Sequence, residues 1–125
     1  MGLTFLYIDD DQEDQEFFSM AIEQLGKPAT VFFAESGRNA LNLLSTGLHA
    51  IPDFIFLDLN MPLMNGYQTL EALAQLPALH ATNIIIYSDY VLEERETLAT
   101  IGAKDMIRKF VSVEHLKKYL SLLAT

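Results

Sequence analysis

The chain has 125 residues, half of them hydrophobic and 20% charged, with only six Gly and four Pro, which is enough apolar mass for one folded domain and argues against a disordered segment. Eight Lys and Arg against 17 Asp and Glu leave a formal charge of −9, which repels phosphate backbones and anionic lipid and makes nucleic acid and membrane poor partners. Cys is absent, which excludes a disulfide framework, a thiolate zinc site and a Cys nucleophile; the start MGLTFLYIDDDQED has no basic n-region, so the chain reads as cytoplasmic.

Along the chain, short β-rich runs alternate with amphipathic stretches. LTFLYI (3–8) reads as a strand, followed by a helix over 12–25 that Gly26 and Pro28 stop. TVFFA (30–34) is a second strand, and the helix over 38–45 is opened by Ser36 and closed by Gly47. DFIFL (53–57) precedes a helix over 66–75, which ends before Pro77. NIIIY (83–87) precedes a helix over 90–100, which ends at Gly102. AKDMI (103–107) leads to a last helix over 113–123, capped by Ser112, with Val113, Leu116, Leu120 and Leu123 on one face. The third and fourth strands are nearly continuous apolar runs, as expected of parallel strands covered on both sides. The pattern predicts a single α/β domain over 1–125: a doubly wound, open five-stranded parallel sheet with helices on both faces.

In such sheets ligands bind beyond the carboxyl ends of the strands, so the polar residues that follow each apolar run are the candidates. They are Asp9, Asp10 and Asp11 after the first strand, Asp58 and Asn60 after the third, Ser88 and Asp89 after the fourth, and Arg108 and Lys109 after the fifth. Asp11 doubles as a cap for the first helix. Clustered carboxylates repel one another, and a divalent cation relieves this; oxygen-only ligands favour a hard ion such as Mg²⁺. A carboxylate at Asp58 beside a metal and the Lys109 ammonium is a setting for accepting a phosphoryl group. His49, His80 and His115 lie far apart and none follows a strand, so they read as solvated. Five of the eight basic residues fall within 104–118, whereas residues 1–23 hold seven acids and no base, a polarity that reads as a solvated face able to orient partners.

The stretches FLYIDDD, PDFIFLDLNMPLMNG, IIIYS and IGAKDMIRK, in this order and spacing, resemble the receiver domain of two-component response regulators, in particular stand-alone receivers similar to the chemotaxis receiver protein. The resemblance covers essentially the whole chain. It implies a flavodoxin-like (βα)₅ fold with strand order 2-1-3-4-5 and Asp58 as phospho-acceptor. It further implies that Asp9 and Asp10 form the acidic pair, that Asn60 lends a backbone carbonyl to Mg²⁺, and that Ser88 and Lys109 attend the phosphoryl group. Met61, Pro62 and Gly66 match the family's turn after the acceptor. The implied partners are a sensor histidine kinase or phosphotransfer protein and a downstream target, met through the face of the fourth helix, fifth strand and fifth helix or by a phosphorelay. The chain would accept and lose phosphoryl groups without being a multiple-turnover enzyme.

Three positions depart from the family. Phe110 follows Lys109 where Pro is usual, which predicts a trans Lys109-Phe110 peptide, because a non-proline cis bond costs about 2.5 to 4 kcal/mol. Met106 stands where a switch aromatic is common, and Asp89 replaces a small residue after the hydroxyl position and reads as a cap for the fourth helix. These departures leave open a receiver-like binding module that is never phosphorylated. A second alternative is an aspartyl-phosphate hydrolase of the haloacid-dehalogenase type, which Asp58-Leu59-Asn60 loosely resembles, although Asn60 leaves no second acid there. The sequence is silent on oligomeric state.

Overall fold

Odd and even residues of β1 (Leu3–Ile8) belong to two different cores: Phe5 and Tyr7 to one, Leu6 and Ile8 to the other. That division follows from the two-residue period of a strand whose two faces are both covered. It continues through β3 (Phe54–Leu57) and β4 (Asn83–Ser88), where Phe54, Phe56, Ile85 and Tyr87 face one way and Ile55, Leu57, Ile84 and Ile86 the other. With β2 (Ala29–Ala34) and β5 (Asp105–Arg108) they make one parallel sheet in the order β2-β1-β3-β4-β5, the expected flavodoxin-like arrangement. The computed structural model describes residues 2–47, 51–59, 65–89 and 95–124.

The two layers differ in chemistry. Under α1 (Gln12–Glu23) and α5 (Val113–Leu123) lies an aromatic core in which Phe5, Tyr7, Phe18, Phe56 and Tyr87 meet edge-on or stacked. Such ring pairs contribute about 0.5–1.5 kcal/mol each beyond the area they bury. On the other face, α2 (Gly37–Asn42), α3 (Gly66–Ala74) and α4 (Arg95–Ile101) close over a mostly aliphatic core that includes Leu70, Leu73, Leu98 and Met106.

Several element ends differ from the expected ones, each for a local reason. The first helix stops at Glu23, two residues early, with Gly26 at φ 74° just beyond, a conformation glycine adopts without cost. The second helix ends at Asn42 and widens into a π-helical turn, Leu43–Gly47, where the hydroxyls of Ser45 and Thr46 both donate to the Asn42 carbonyl, at 3.1 and 2.7 Å. The fifth strand begins at Asp105 rather than 103, because the Gly102 and Ala103 N–H groups donate to the Leu98 carbonyl at the end of α4. Ser88 and Arg108 lie inside their strands and pair with each other instead of following them. The first residues of the expected fourth helix, 90–94, lie outside the described residues. Among the described residues no helix is long and apolar enough to cross a membrane.

Candidate functional site

Three of the strands that carry candidate side chains, β1, β3 and β5, are each extended by one ladder hydrogen bond past their ends. The Asp9 N–H donates to the Ala34 carbonyl, the Asp58 N–H to the Ile8 carbonyl, and the Lys109 N–H to the Ser88 carbonyl, each at 3.0 Å. The backbones of Asp9, Asp58 and Lys109 are thereby held as rigidly as the sheet, at its carboxyl edge. The first helix starts beside them: the Asp11 carboxylate accepts from the Glu13 and Asp14 N–H groups, as its capping role required.

One carboxylate oxygen from each of Asp9, Asp10 and Asp58 lies within 4.8 Å of the others. Asp9 and Asp58 are buried and Asp10 is exposed, so the group forms a shallow acidic pocket with an open side. The Lys109 ammonium lies 2.8 Å from Asp9 Oδ2, 2.6 Å from Asp14 Oδ2 and 3.8 Å from Asp58 Oδ2. Burial by itself lowers the pKa of this ammonium, but its hydrogen bonds to Asp14 and Asp9 outweigh burial and hold it above the usual lysine range. Lys109 offsets one negative charge of the pocket; the oxygen-only donors that remain fit a hard divalent cation of the Mg²⁺ class and not a soft metal.

The buried Ser88 hydroxyl donates to Asp58 Oδ1 at 3.0 Å, so the serine and the lysine address different oxygens of the same carboxylate. Gly66, the first residue of α3, sits against the backbone that follows Asp58. Its N–H donates to the Leu59 carbonyl at 3.1 Å, and a Cβ at this position would lie 2.7 Å from the Asp58 carbonyl oxygen and collide with the Leu59 Cα. The glycine expected in this turn is therefore required by close approach. Asn60, Met61 and Pro62 lie outside the described residues.

The structure thus brings together Asp9, Asp10, Asp58, Ser88 and Lys109. Arg108 and Asp89 turn to each other instead: the exposed Arg108 donates from Nε to the Asp89 carbonyl at 3.2 Å. Whether Asp89 caps the fourth helix falls on residues outside those described. Met106 is buried in the aliphatic core, and His80 and His115 are exposed. No cis peptide bond occurs among the described residues, so the Lys109-Phe110 bond is trans, as expected, with Lys109 still reaching the acidic pocket.

Sequence reasoning missed two participants. In the sequence Asp14 is only one of seven acids within residues 1–23, although its position on the first turn of α1 keeps it near the site, and Tyr7 is only part of an apolar strand. The Tyr7 hydroxyl donates to Asp9 Oδ2 at 2.8 Å, and burial followed by the Asp9 charge pushes its pKa far upward, so it remains a donor. Asp9 Oδ1 accepts from the Asp11 N–H at 3.0 Å, so both oxygens of this buried carboxylate are engaged.

Residues 5–121 match the family model of the response regulator receiver domain. The transcriptional regulatory protein CpxR of Escherichia coli is 33% identical over 105 residues, which is 83% of this chain and 41% of CpxR. Several curated relatives are longer, the chain spanning between 25% and 41% of their length. Among solved structures, the Vibrio cholerae chemotaxis protein CheY4 superposes with a TM-score of 0.82 at 25% identity over 98% of both chains. The phosphorylated cyanobacterial phytochrome response regulator RcpA shares the fold, with a TM-score of 0.84 at 20% identity over 98% of this chain and 91% of its own.

Proposed function

The chain belongs to the response regulator receiver domain family, and on that premise we propose that it accepts a phosphoryl group on Asp58 from a histidine kinase or phosphotransfer protein in the cytoplasm. The observation that carries the proposal is the convergence on Asp58: two further carboxylates within 4.8 Å, the Ser88 hydroxyl at 3.0 Å and the Lys109 ammonium at 3.8 Å. RcpA, which shares the fold, is phosphorylated in its solved form.

In the proposed step an Asp58 carboxylate oxygen forms a bond to the donor's phosphorus. The donor's bond to phosphorus breaks with its electron pair staying on the donor, and a histidine donor that carries a proton on its other ring nitrogen leaves as neutral imidazole. Lys109 neutralises charge on the phosphoryl oxygens, and the Ser88 hydroxyl moves its hydrogen bond from the carboxylate to one of them. Asp9, Asp10 and Asp58 would hold Mg²⁺, with the main-chain carbonyl of Asn60 completing the set; bound there, the ion supplies positive charge to phosphoryl oxygens. The return reaction is hydrolysis: water attacks phosphorus and Asp58 departs as carboxylate, leaving inorganic phosphate. Output is proposed to pass through the face of α4, β5 and α5 to a protein target, β5 being one of the two edge strands of the sheet.

The test is incubation with Mg²⁺ and acetyl phosphate followed by intact mass. One phosphoryl group on the parent protein and none on Asp58→Ala is the expected result. A parent that gains no mass, or phosphate mapped to another residue, overturns the reading and favours a receiver-like module that binds without being phosphorylated.

A further inference from the structure

The Lys109 ammonium is closest not to the proposed acceptor but to Asp14, at 2.6 Å, a residue 95 positions away in the chain. A lysine ammonium has three N–H donors on a flexible stem and carries no built-in direction. Here Asp14 and Asp9 take two of them, which leaves one for any oxygen that comes within reach on Asp58. The two carboxylates are not equivalent. Asp9 belongs to the group that can hold a cation and already accepts from Tyr7, whereas Asp14 stands outside that group. Its hold on Lys109 is therefore independent of a cation. Asp14 is itself fixed, because its N–H donates to the Asp11 carboxylate at the helix cap, at 3.3 Å.

We propose that Asp14 is a positioning residue that holds the Lys109 ammonium where a phosphoryl group added to Asp58 will meet it. At 3.8 Å from Asp58 Oδ2 the ammonium is too distant to hydrogen-bond the unphosphorylated carboxylate. A phosphoryl group extends that carboxylate by a phosphorus and a further oxygen, which closes the gap without moving the lysine. Asp14 touches no reacting atom: the oxygen–phosphorus bond forms at Asp58, the donor keeps the electron pair of the bond that breaks, and Lys109 contributes charge and no proton. Without Asp14 the ammonium depends on Asp9 alone, and a cation at Asp9 competes for that carboxylate. Lys109 would then sample other rotamers, at an entropic cost to each productive encounter.

The inference rests on the phosphoryl-acceptor reading, and one of its two readouts does not depend on it. The first is the side-chain ¹⁵N–¹H signal of the Lys109 ammonium without any phosphodonor. A held, shielded ammonium gives an observable signal in the parent with and without Mg²⁺; Asp14→Asn should lose it, Asp14→Glu should keep it, and Lys109→Met identifies it. The second is the phosphorylation rate with acetyl phosphate. Asp14→Asn should slow the maximal rate about tenfold to a hundredfold, the equivalent of one charge-assisted hydrogen bond, with the half-saturating donor concentration unchanged. Asp14→Glu should restore most of the rate, and Asp14→Asn should add nothing in a Lys109→Met background. A signal retained in Asp14→Asn, or effects of the two substitutions that multiply, overturns the inference. If the parent takes no phosphate, the function reading fails, and the ammonium signal still decides whether Asp14 holds Lys109.

Discussion

The Phe110 N–H donates to the Tyr87 hydroxyl oxygen at 3.2 Å, and the two rings lie 6.3 Å apart. A proline at 110 has no N–H to give, so this bond requires a residue other than proline after Lys109. It ties the loop that carries the ammonium to β4, and Phe110 goes on to pack against Tyr119 of α5. The trans peptide and its side-chain anchor together deliver Lys109 to the pocket. Tyr87→Phe keeps the ring and removes the acceptor, leaving a half-buried backbone donor without its partner. Stability should fall by about 1–2 kcal/mol, read as a lower denaturant midpoint at unchanged slope. A midpoint equal to the parent's would show that the bond contributes nothing.

Cation binding should stabilise the fold. An ion bound only by the folded state adds about 2.7 kcal/mol at a hundred times its dissociation constant. The melting temperature should therefore rise with Mg²⁺, and Asp10→Ala should blunt the rise, since Asp10 is the exposed member of the group and has the least structural work otherwise. An identical response in parent and variant would remove Asp10 from the site.

Gly66→Ala tests the close approach of α3 to the end of β3. The new Cβ would press on the Asp58 carbonyl oxygen and the Leu59 Cα, neither of which is the movable end of a side chain. A destabilisation of about 1–3 kcal/mol is expected from such overpacking, together with a weaker Mg²⁺ response because the backbone of Asp58 must shift. Wild-type melting in this variant would mean the turn has slack.

The alkaline limb of stability has a definite sign. Burial pushes the Tyr87 hydroxyl up to about 12, with the Phe110 N–H opposing, while the unfolded chain titrates near about 10. The folded state thus keeps its proton longer, so the contribution is complete below about pH 10 and is lost as pH rises from there toward the folded value. Lys109 is shifted in the same direction, as are Tyr7 and Tyr119, so their contributions fade over the same range and above it. Denaturant midpoints followed with phenolate absorbance should fall above about pH 10, with the buried tyrosines ionising as the protein unfolds. Ionisation of all the tyrosines at the ordinary value in protein that remains folded would contradict this.

The order of strands and helices, the caps Asp11, Ser36 and Ser112, and the gathering of Asp9, Asp10, Asp58, Ser88 and Lys109 were legible in the sequence. The reason is that they are local properties: a strand shows its period and its apolar faces over a few residues, and in a parallel sheet all strands end at the same edge, so the residues after them must converge. Tertiary structure alone decided who touches whom within that gathering. Tyr7 alternates with its neighbours like any buried strand residue, and only in the packed structure does the buried Asp9 carboxylate become the acceptor of its hydroxyl. Asp14 looks like one acid among seven in the first 23 residues, and only the packing of α1 beside α5 brings it 2.6 Å from an ammonium near the other end of the chain. Periodicity encodes which face a side chain takes, whereas contacts across elements depend on register, on where a helix sits along the sheet and on how far each side chain reaches; those are settled only when both cores pack at once.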